Sequence, residues 1–354
     1  MQFWTPVADA AHRFADIGRQ AEALGWDGIT TVDSQNLSTD PYVCLAFAGH
    51  ATSRLGVMTS VTNTATRVPA VTASSAMTVQ HLTKGRMVIG IGRGDSALAH
   101  LGRAPSRLAW FERYLVTLQA YLRGEDVSFA DTCIPDDAAP LVDTLGLAEA
   151  PSASRIAWAQ RVSKVPVEVA ATGERVIAIA ARHAERIMFA LGAQPERLQW
   201  GIDVARKAAA AAGRDPASLA FGAYVNLACH DDATIGRELA RAGTSLFARF
   251  SVMHGKVSGP ADDTAREVFK NIHDRYDMNK HAQAGGNQTT ALTDAFMDAY
   301  AVIGDAGHCV ERLRAIEALG IDKIAVTGPN FHRAQGEAKV AAERFVAEVM
   351  PAFR

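Results

Sequence analysis

The chain has 354 residues, 48% of them hydrophobic and 21% charged, enough for one large α/β barrel or two ordinary domains. A formal net charge of -2 leaves no basic face of the kind a nucleic-acid partner requires. The first residues lack the basic and apolar regions of a signal peptide, and no run of about 18 apolar residues marks a membrane span. The four cysteines are scattered, without a CxxC pair, and read as reduced thiols, so a cytoplasmic protein with no membrane partner is expected.

Hydrophobic periodicity alternates strand and helix from the start. A strand over residues 2–7 leads to a helix in which Phe14, Ile17, Ala21 and Leu24 recur at helical spacing. Gly25 stands where a left-handed cap belongs, and residues 28–32 form a second strand that ends at Asp33. Pro41 opens the next helix, residues 55–61 make a third strand, and Pro69 sits in the first turn of the helix that follows. Gly85 closes that helix, and residues 86–91 form a fourth strand. Further strands are expected at 165–171, 186–191, 219–228 and 323–326, with helices at 174–183, 196–212, after 228 and around Val310, Leu313 and Ile316. The joint Glu22-Ala23-Leu24-Gly25 recurs as Glu317-Ala318-Leu319-Gly320.

Eight strands each tied to a helix is the count of a (β/α)8 TIM barrel, with an open doubly wound sheet as the alternative. The chain is therefore expected to form a single domain over residues 1–354. Insertions near 125–163 and 251–290 break the alternation and are expected over or beside the C-terminal mouth.

The stretch Gly90-Ile91-Gly92-Arg93-Gly94-Asp95 resembles a nucleotide loop only superficially. A dinucleotide fingerprint needs G-x-G-x-x-G at the first strand, opening a helix, whereas here G-x-G-x-G ends the fourth strand with no helix expected at once. At a barrel rim such glycines let a flat ring or a phosphate approach the backbone, or they relieve crowding inside the barrel. The turn Ala171-Thr172-Gly173 precedes a helix, where free N–H groups and the Thr172 hydroxyl make an anion site; a plain turn with Thr172 as N-cap is the alternative. Two more polar rims, residues 59–67 and 32–36, also fall at the carboxyl ends of strands.

Taken in order, these stretches together with Ile303-Gly304-Asp305 resemble the bacterial-luciferase-like (LLM) superfamily of FMN- and coenzyme F420-dependent oxidoreductases. The resemblance is closest to the branch typified by methylenetetrahydromethanopterin reductase. It implies a TIM barrel with the flavin ring at the mouth, and a non-prolyl cis peptide at Ser60-Val61 under the ring. It further implies that Thr62 and Asn63 line the cofactor, that Gly92, Arg93, Gly94 and Asp95 border it, and that Ala171, Thr172 and Gly173 hold its phosphate. Arg67, Arg93, Arg103 and Arg107 are available for an anionic tail or substrate.

Deazaflavin-dependent sugar-phosphate dehydrogenases of the superfamily carry Asp-His after strand two; this chain has Asp33-Ser34, which puts a histidine relay in doubt. The candidate catalytic residues are Asp33, Asn63 and His254. No HExxH or clustered His/Cys spacing points to a metal, and no G-x-S-x-G elbow points to a hydrolase.

The resemblance implies a flavin-dependent monooxygenase that takes reduced FMN from a partner flavin reductase and oxygenates a small organic substrate with O2. Its alternatives are a coenzyme F420-dependent hydride-transfer oxidoreductase and a non-catalytic flavin-binding barrel. A homodimer is the expected assembly.

Overall fold

The computed structural model describes residues 1–281, 283 and 285–354. Two positions of the expected second insertion, 282 and 284, lie outside the described residues. In chain order the elements begin β1 (Gln2–Pro6), α1 (Phe14–Ala23), β2 (Gly28–Thr31), α2 (Pro41–His50), β3 (Gly56–Thr59), β4 (Thr62–Asn63) and α3 (Pro69–Leu82). They continue with β5 (Met87–Gly92), α4 (Ser96–Ala99), α5 (Leu108–Arg123), β6 (Val167–Ala171), α6 (Glu174–His183), β7 (Arg186–Phe189) and α7 (Pro195–Ala211). The last third holds β8 (Ala220–Cys229), α8 (Ala233–Phe250), α9 (Asp263–Arg275), α10 (Asp294–Tyr300), β9 (Val302–Gly304), α11 (Ala306–Glu317), β10 (Ile321–Thr327) and α12 (Gly336–Arg344).

Local chemistry sets many of these boundaries. Gly25, at φ +84°, ends α1 by donating its N–H to the Glu22 carbonyl while Trp26 donates to Ala21, a paired cap that glycine adopts without strain. Asp40 caps α2 through its carboxylate, which accepts from the N–H groups of Tyr42 and Val43 at 2.9 and 3.2 Å, and Pro41 fills the first helical position. Asp232 and Asp305 cap α8 and α11 in the same way.

All strand pairings are parallel. The order runs β10-β1-β2-β3-β5-β6-β7-β8, and β8 pairs back to β10, so the sheet closes on itself. This closure excludes the doubly wound alternative. The short β4 pairs with β5, and β9 pairs with the far end of β8; neither is legible in the sequence pattern because each is only two or three residues long.

Alternation along the closed strands splits side chains into two sets. Ile29, Val57, Ile89, Val169, Ile187, Val225 and Ile324 face the helices and form one continuous core. The opposite set fills the lumen. Low in the lumen, the Trp4 indole occupies the space left by Gly28 and Gly56, where a Cβ would collide with the ring. Lys323 lies over that ring at 3.7 Å and donates to Glu168 at 2.8 and 2.9 Å. High in the lumen the inward residues are mostly small, and a cavity opens there.

The two insertions behave differently. Residues 251–281 do cover the mouth, and they contain α9 rather than a bare loop. Among the described residues, none between 125 and 163 lines the mouth cavity. That segment instead packs beside α3 and α5, with Val127 bridged to Ser154, Tyr121 Oη bonded to Ser154 Oγ at 2.7 Å, and Gln80 bonded to Ser163. It has to travel from the end of α5 back to the amino end of β6, which takes it away from the mouth.

Candidate active site

A cavity of about 1020 Å³ lies at the carboxyl ends of the strands, above the average for a small-molecule pocket. Its floor is built from inward residues near the tops of the strands: Pro6, Thr30, Ser60, Gly92, Ala170, Ala190, Tyr224 and Ala325. All but Tyr224 are small. One wall is the apolar face of α8, where Leu239, Gly243, Leu246 and Phe250 recur every three or four residues, joined by Phe247.

The lid closes the opposite side. Arg197, nearly buried, ties it down by donating to the carbonyls of Pro260 at 2.6 Å and Ser258 at 2.9 Å and to Ser251 Oγ at 2.9 Å. A second tie runs through Arg249, which pairs with Asp95 at 2.5 Å and lies 4.3 Å over the Tyr276 ring. The Tyr276 hydroxyl in turn bonds His281 Nδ1 at 2.9 Å, and His281 lines the cavity. Burial and, after it, the neighbouring Arg249 and His100 pull the His281 pKa below the ordinary histidine range against the opposing Asp95 charge.

The glycine stretch divides by position. A Cβ at Gly90 would strike the Thr59 carbonyl, so that glycine is there for packing. Gly92 lines the cavity, with a Cβ position 3.1 Å from Val61, and Gly94 adopts φ +82° at the rim. A helical turn, α4, follows at once, contrary to the expectation from sequence. Its four residues were invisible because no apolar period can develop over a single turn.

Ser60 and Val61 line the cavity and are joined by the cis peptide implied by the resemblance. Thr62 is buried and does not reach the cavity; its hydroxyl donates to Asp33 at 2.6 Å. Asp33 does line the cavity, but the same carboxylate oxygen is ion-paired with Arg67, which also holds Asp40 at 2.6 Å. Asp33 is thereby held in place by two partners, Thr62 and Arg67. Asn63 is 1% exposed and lines the cavity; its Oδ1 accepts from the N–H groups of Ala65 and Thr66 at 2.9 and 3.0 Å, while Nδ2 has no partner among the described residues.

The outer end is cationic. Arg93, which donates to the Ser106 carbonyl at 2.6 Å, lines the cavity with Arg175, Lys256 and His254 beside the Thr172-Gly173 turn. Among the described residues Arg93, Arg175 and Lys256 form no ion pair, and Glu174 is the acid on the same stretch. His254 is exposed on the lid; partial burial and then the charges of Arg93, Arg175, Arg249 and His273 lower its pKa, so it favours the neutral form.

Thr172 is not the helix cap, as Gly173 takes that position and the Thr172 hydroxyl meets the Ala190 carbonyl at 3.4 Å. Among the described residues no side chain caps the first N–H groups of α6. Ala171 points the other way, into the core, because strand alternation turns it from the cavity. Arg103 and Arg107 do not reach the cavity.

The four cysteines are buried and free. Among the described residues, no three His, Cys, Asp or Glu side chains gather for a metal ion, and no helix is long and apolar enough to cross a membrane.

Sequence reading missed Tyr224, Thr30, Arg175 and Lys256, whereas His281, one of the histidines it offers as site neighbours, does line the cavity. The inward alternation of β8 would have found Tyr224; the lid residues carry no periodic signal.

A closed parallel barrel with its cavity at the carboxyl ends of the strands places the protein in the class of (β/α)8 barrels whose ligand site is the mouth. The comparison with known proteins then narrows the class. The chain belongs to the luciferase-like monooxygenase family, an oxidoreductase family whose pattern matches residues 3–323. It is 23% identical over 332 residues to 5,10-methylenetetrahydromethanopterin reductase of Methanolobus tindarius, covering 92% of this chain and 94% of that one. Among solved structures it is similar to coenzyme F420 dependent tetrahydromethanopterin reductase from Methanopyrus kandleri, with TM-score 0.73, 18% identity and coverage of 100% and 99% of the two chains. It is similar also to a monooxygenase from Streptomyces bottropensis, with TM-score 0.64, 16% identity and coverage of 100% of both chains.

Proposed function

We propose that the protein is an oxidoreductase that uses the deazaflavin coenzyme F420 for hydride transfer. The observation that carries this reading is the cationic rim of Arg93, Arg175 and Lys256, which form no ion pair among the described residues, beside the uncapped N–H groups of α6; of the acids lining the cavity Asp33 and Asp95 are taken by Arg67 and Arg249, which leaves Glu174. A tail bearing several negative charges matches that rim better than one phosphate does. The residues fit the coenzyme's other end too. The small floor at Ser60, Gly92 and Ala170 admits a flat ring, and Asn63 Nδ2 is a buried donor with no partner among the described residues, suited to a ring acceptor.

When bound, the coenzyme supplies a two-electron hydride donor or acceptor. The protein's own part is to bind, orient and keep water away. Arg67 and Thr62 hold Asp33 fixed at the second-strand rim, and the lid tied by Arg197 and Arg249 shuts the cavity over the reactants. His254 and His281 are the imidazoles that line the cavity among the described residues, and either can carry a proton to a reacting oxygen.

The reduced-FMN monooxygenase stands second, favoured by the apolar α8 wall, which would protect an oxygen-reactive site from water; a reductase partner would then be needed. One experiment separates the two. Under nitrogen, a panel of alcohols with oxidised coenzyme F420 should bleach its visible absorption in a protein-dependent way. Substrate-dependent oxygen uptake with reduced FMN, and no bleaching of F420, would reverse the order.

A further inference from the structure

The first insertion takes no part in the mouth, and its middle stands off the barrel. From 134 to 153 every residue except Val142 and Ala153 is exposed. Its backbone bonds are local, such as Ala138 N–H to the Pro135 carbonyl and Gly146 N–H to the Asp143 carbonyl. Yet the stretch carries Ile134, Leu141, Leu145 and Leu147, each between 49% and 67% exposed. Four of the fourteen large apolar side chains exposed among the described residues thus fall within 134–147. Single exposed apolar residues need no partner, whereas such a cluster marks an interaction surface. The turn Val142–Leu145, closed by Gly146 at φ +57°, gives the leucines a preformed support.

The same insertion supplies one side of a groove. Arg155, Ile156 and Trp158 face Val71 and Ser74 of α3 across a cavity of about 480 Å³. None of the three leucines lines the groove of its own chain.

We propose that this groove receives the leucine turn of a second copy of the chain, and that the exchange is reciprocal, so that each copy gives one turn and takes one.

Charge and symmetry select this occupant. Residues 134–154 hold Asp136, Asp137, Asp143 and Glu149 and no Lys, Arg or His. The acids of the insertion that do form ion pairs are others, Glu125, Asp126 and Asp131. The charged residue lining the groove is Arg155, half exposed and held by Asp126 at 3.5 Å, a surface contact of little worth. An acidic, apolar turn therefore meets an apolar groove with a cation at its lip, whereas a basic segment would set like charge against Arg155. A two-fold pair occupies both surfaces of both copies at once. The contact does not involve the coenzyme, so its failure leaves the deazaflavin reading untouched.

Sedimentation velocity on the full chain over a range of concentrations tests it. The wild type should form a dimer. Leu145→Asp on the turn and Val71→Asp in the groove should each weaken the dimer by about tenfold or more, the range for burying one such side chain. Val71 lies in the first turn of α3, where an acid favours the helix, so its substitution probes the groove without weakening the fold. An equimolar mixture of the two variants should dimerise more tightly than either alone, because the mixed pair keeps one intact turn and one intact groove.

A wild type that stays monomeric, a dimer that both variants leave unchanged, or a mixture no tighter than its components would overturn the assignment.

Discussion

The two ends of the barrel lumen are built from the same strands and used in opposite ways. The lower end is filled and paired: Trp4 occupies the volume freed by two glycines, Lys323 is closed against Glu168, and Arg186 reaches the same carboxylate at 3.2 Å. Just outside that end Glu22 gathers the N–H groups of Ser53, Arg54 and Leu55 at 3.0, 2.5 and 2.9 Å. The upper end is lined by small residues, and Thr30 and Asn63 keep polar atoms there without partners among the described residues. A (β/α)8 barrel thus separates the residues that hold it together from those that hold a ligand, and substitutions should separate in the same way.

The largest effect is expected at the lower end. Lys323→Met leaves Glu168 buried with Arg186 as its remaining partner and should lower the unfolding free energy by about 3 kcal/mol. Chemical denaturation checks this; coenzyme affinity should not change, and a loss of affinity without a loss of stability would blur the division between the two ends. Next comes the upper end. Gly92→Leu places a side chain on the cavity floor, where the Cβ alone lies 3.1 Å from Val61, and should weaken coenzyme binding by about 2 kcal/mol. Equilibrium titration reads that loss, and the melting temperature should move much less.

A smaller effect follows at Glu22→Gln, about 1–2 kcal/mol at neutral pH from weakened charge-assisted hydrogen bonds. Burial alone would raise the Glu22 pKa, but the N–H donors of Arg54, Leu55 and Ser53 outweigh it and hold the carboxyl below its ordinary 4.5. The stabilisation is therefore complete above pH 4.5 and is lost as pH falls through the lower folded value, so the two proteins should converge in acid. The smallest change is expected for Arg175→Ala. This exposed cation should cost coenzyme F420 affinity a few-fold at low salt and little at high salt, with stability untouched.

The barrel was legible because its signals are periodic. Phe14, Ile17 and Ala21 mark α1, and the apolar runs of β2 and β3 are buried throughout. Gly92, Gly94, Asn63 and Thr172 were placed at the mouth because strand ends converge there. Thr62 and Ala171 were misplaced for one reason: the residue next to a cavity-facing position on a strand faces the other way. The pairing of Asp33 with Arg67 joins residues from two different strand rims and leaves no local mark in either stretch. The lid was harder still, since Arg249, Tyr276 and His281 meet only when α8 and α9 fold back over the β5 rim.

The most direct test of the account is a parallel titration of the purified chain with coenzyme F420 and with FMN at low and high salt. The cationic rim of Arg93, Arg175 and Lys256 predicts tighter binding of F420, with the preference shrinking as salt rises and in Arg175→Ala. Tighter binding of FMN at both salt concentrations would contradict the deazaflavin assignment and favour the monooxygenase.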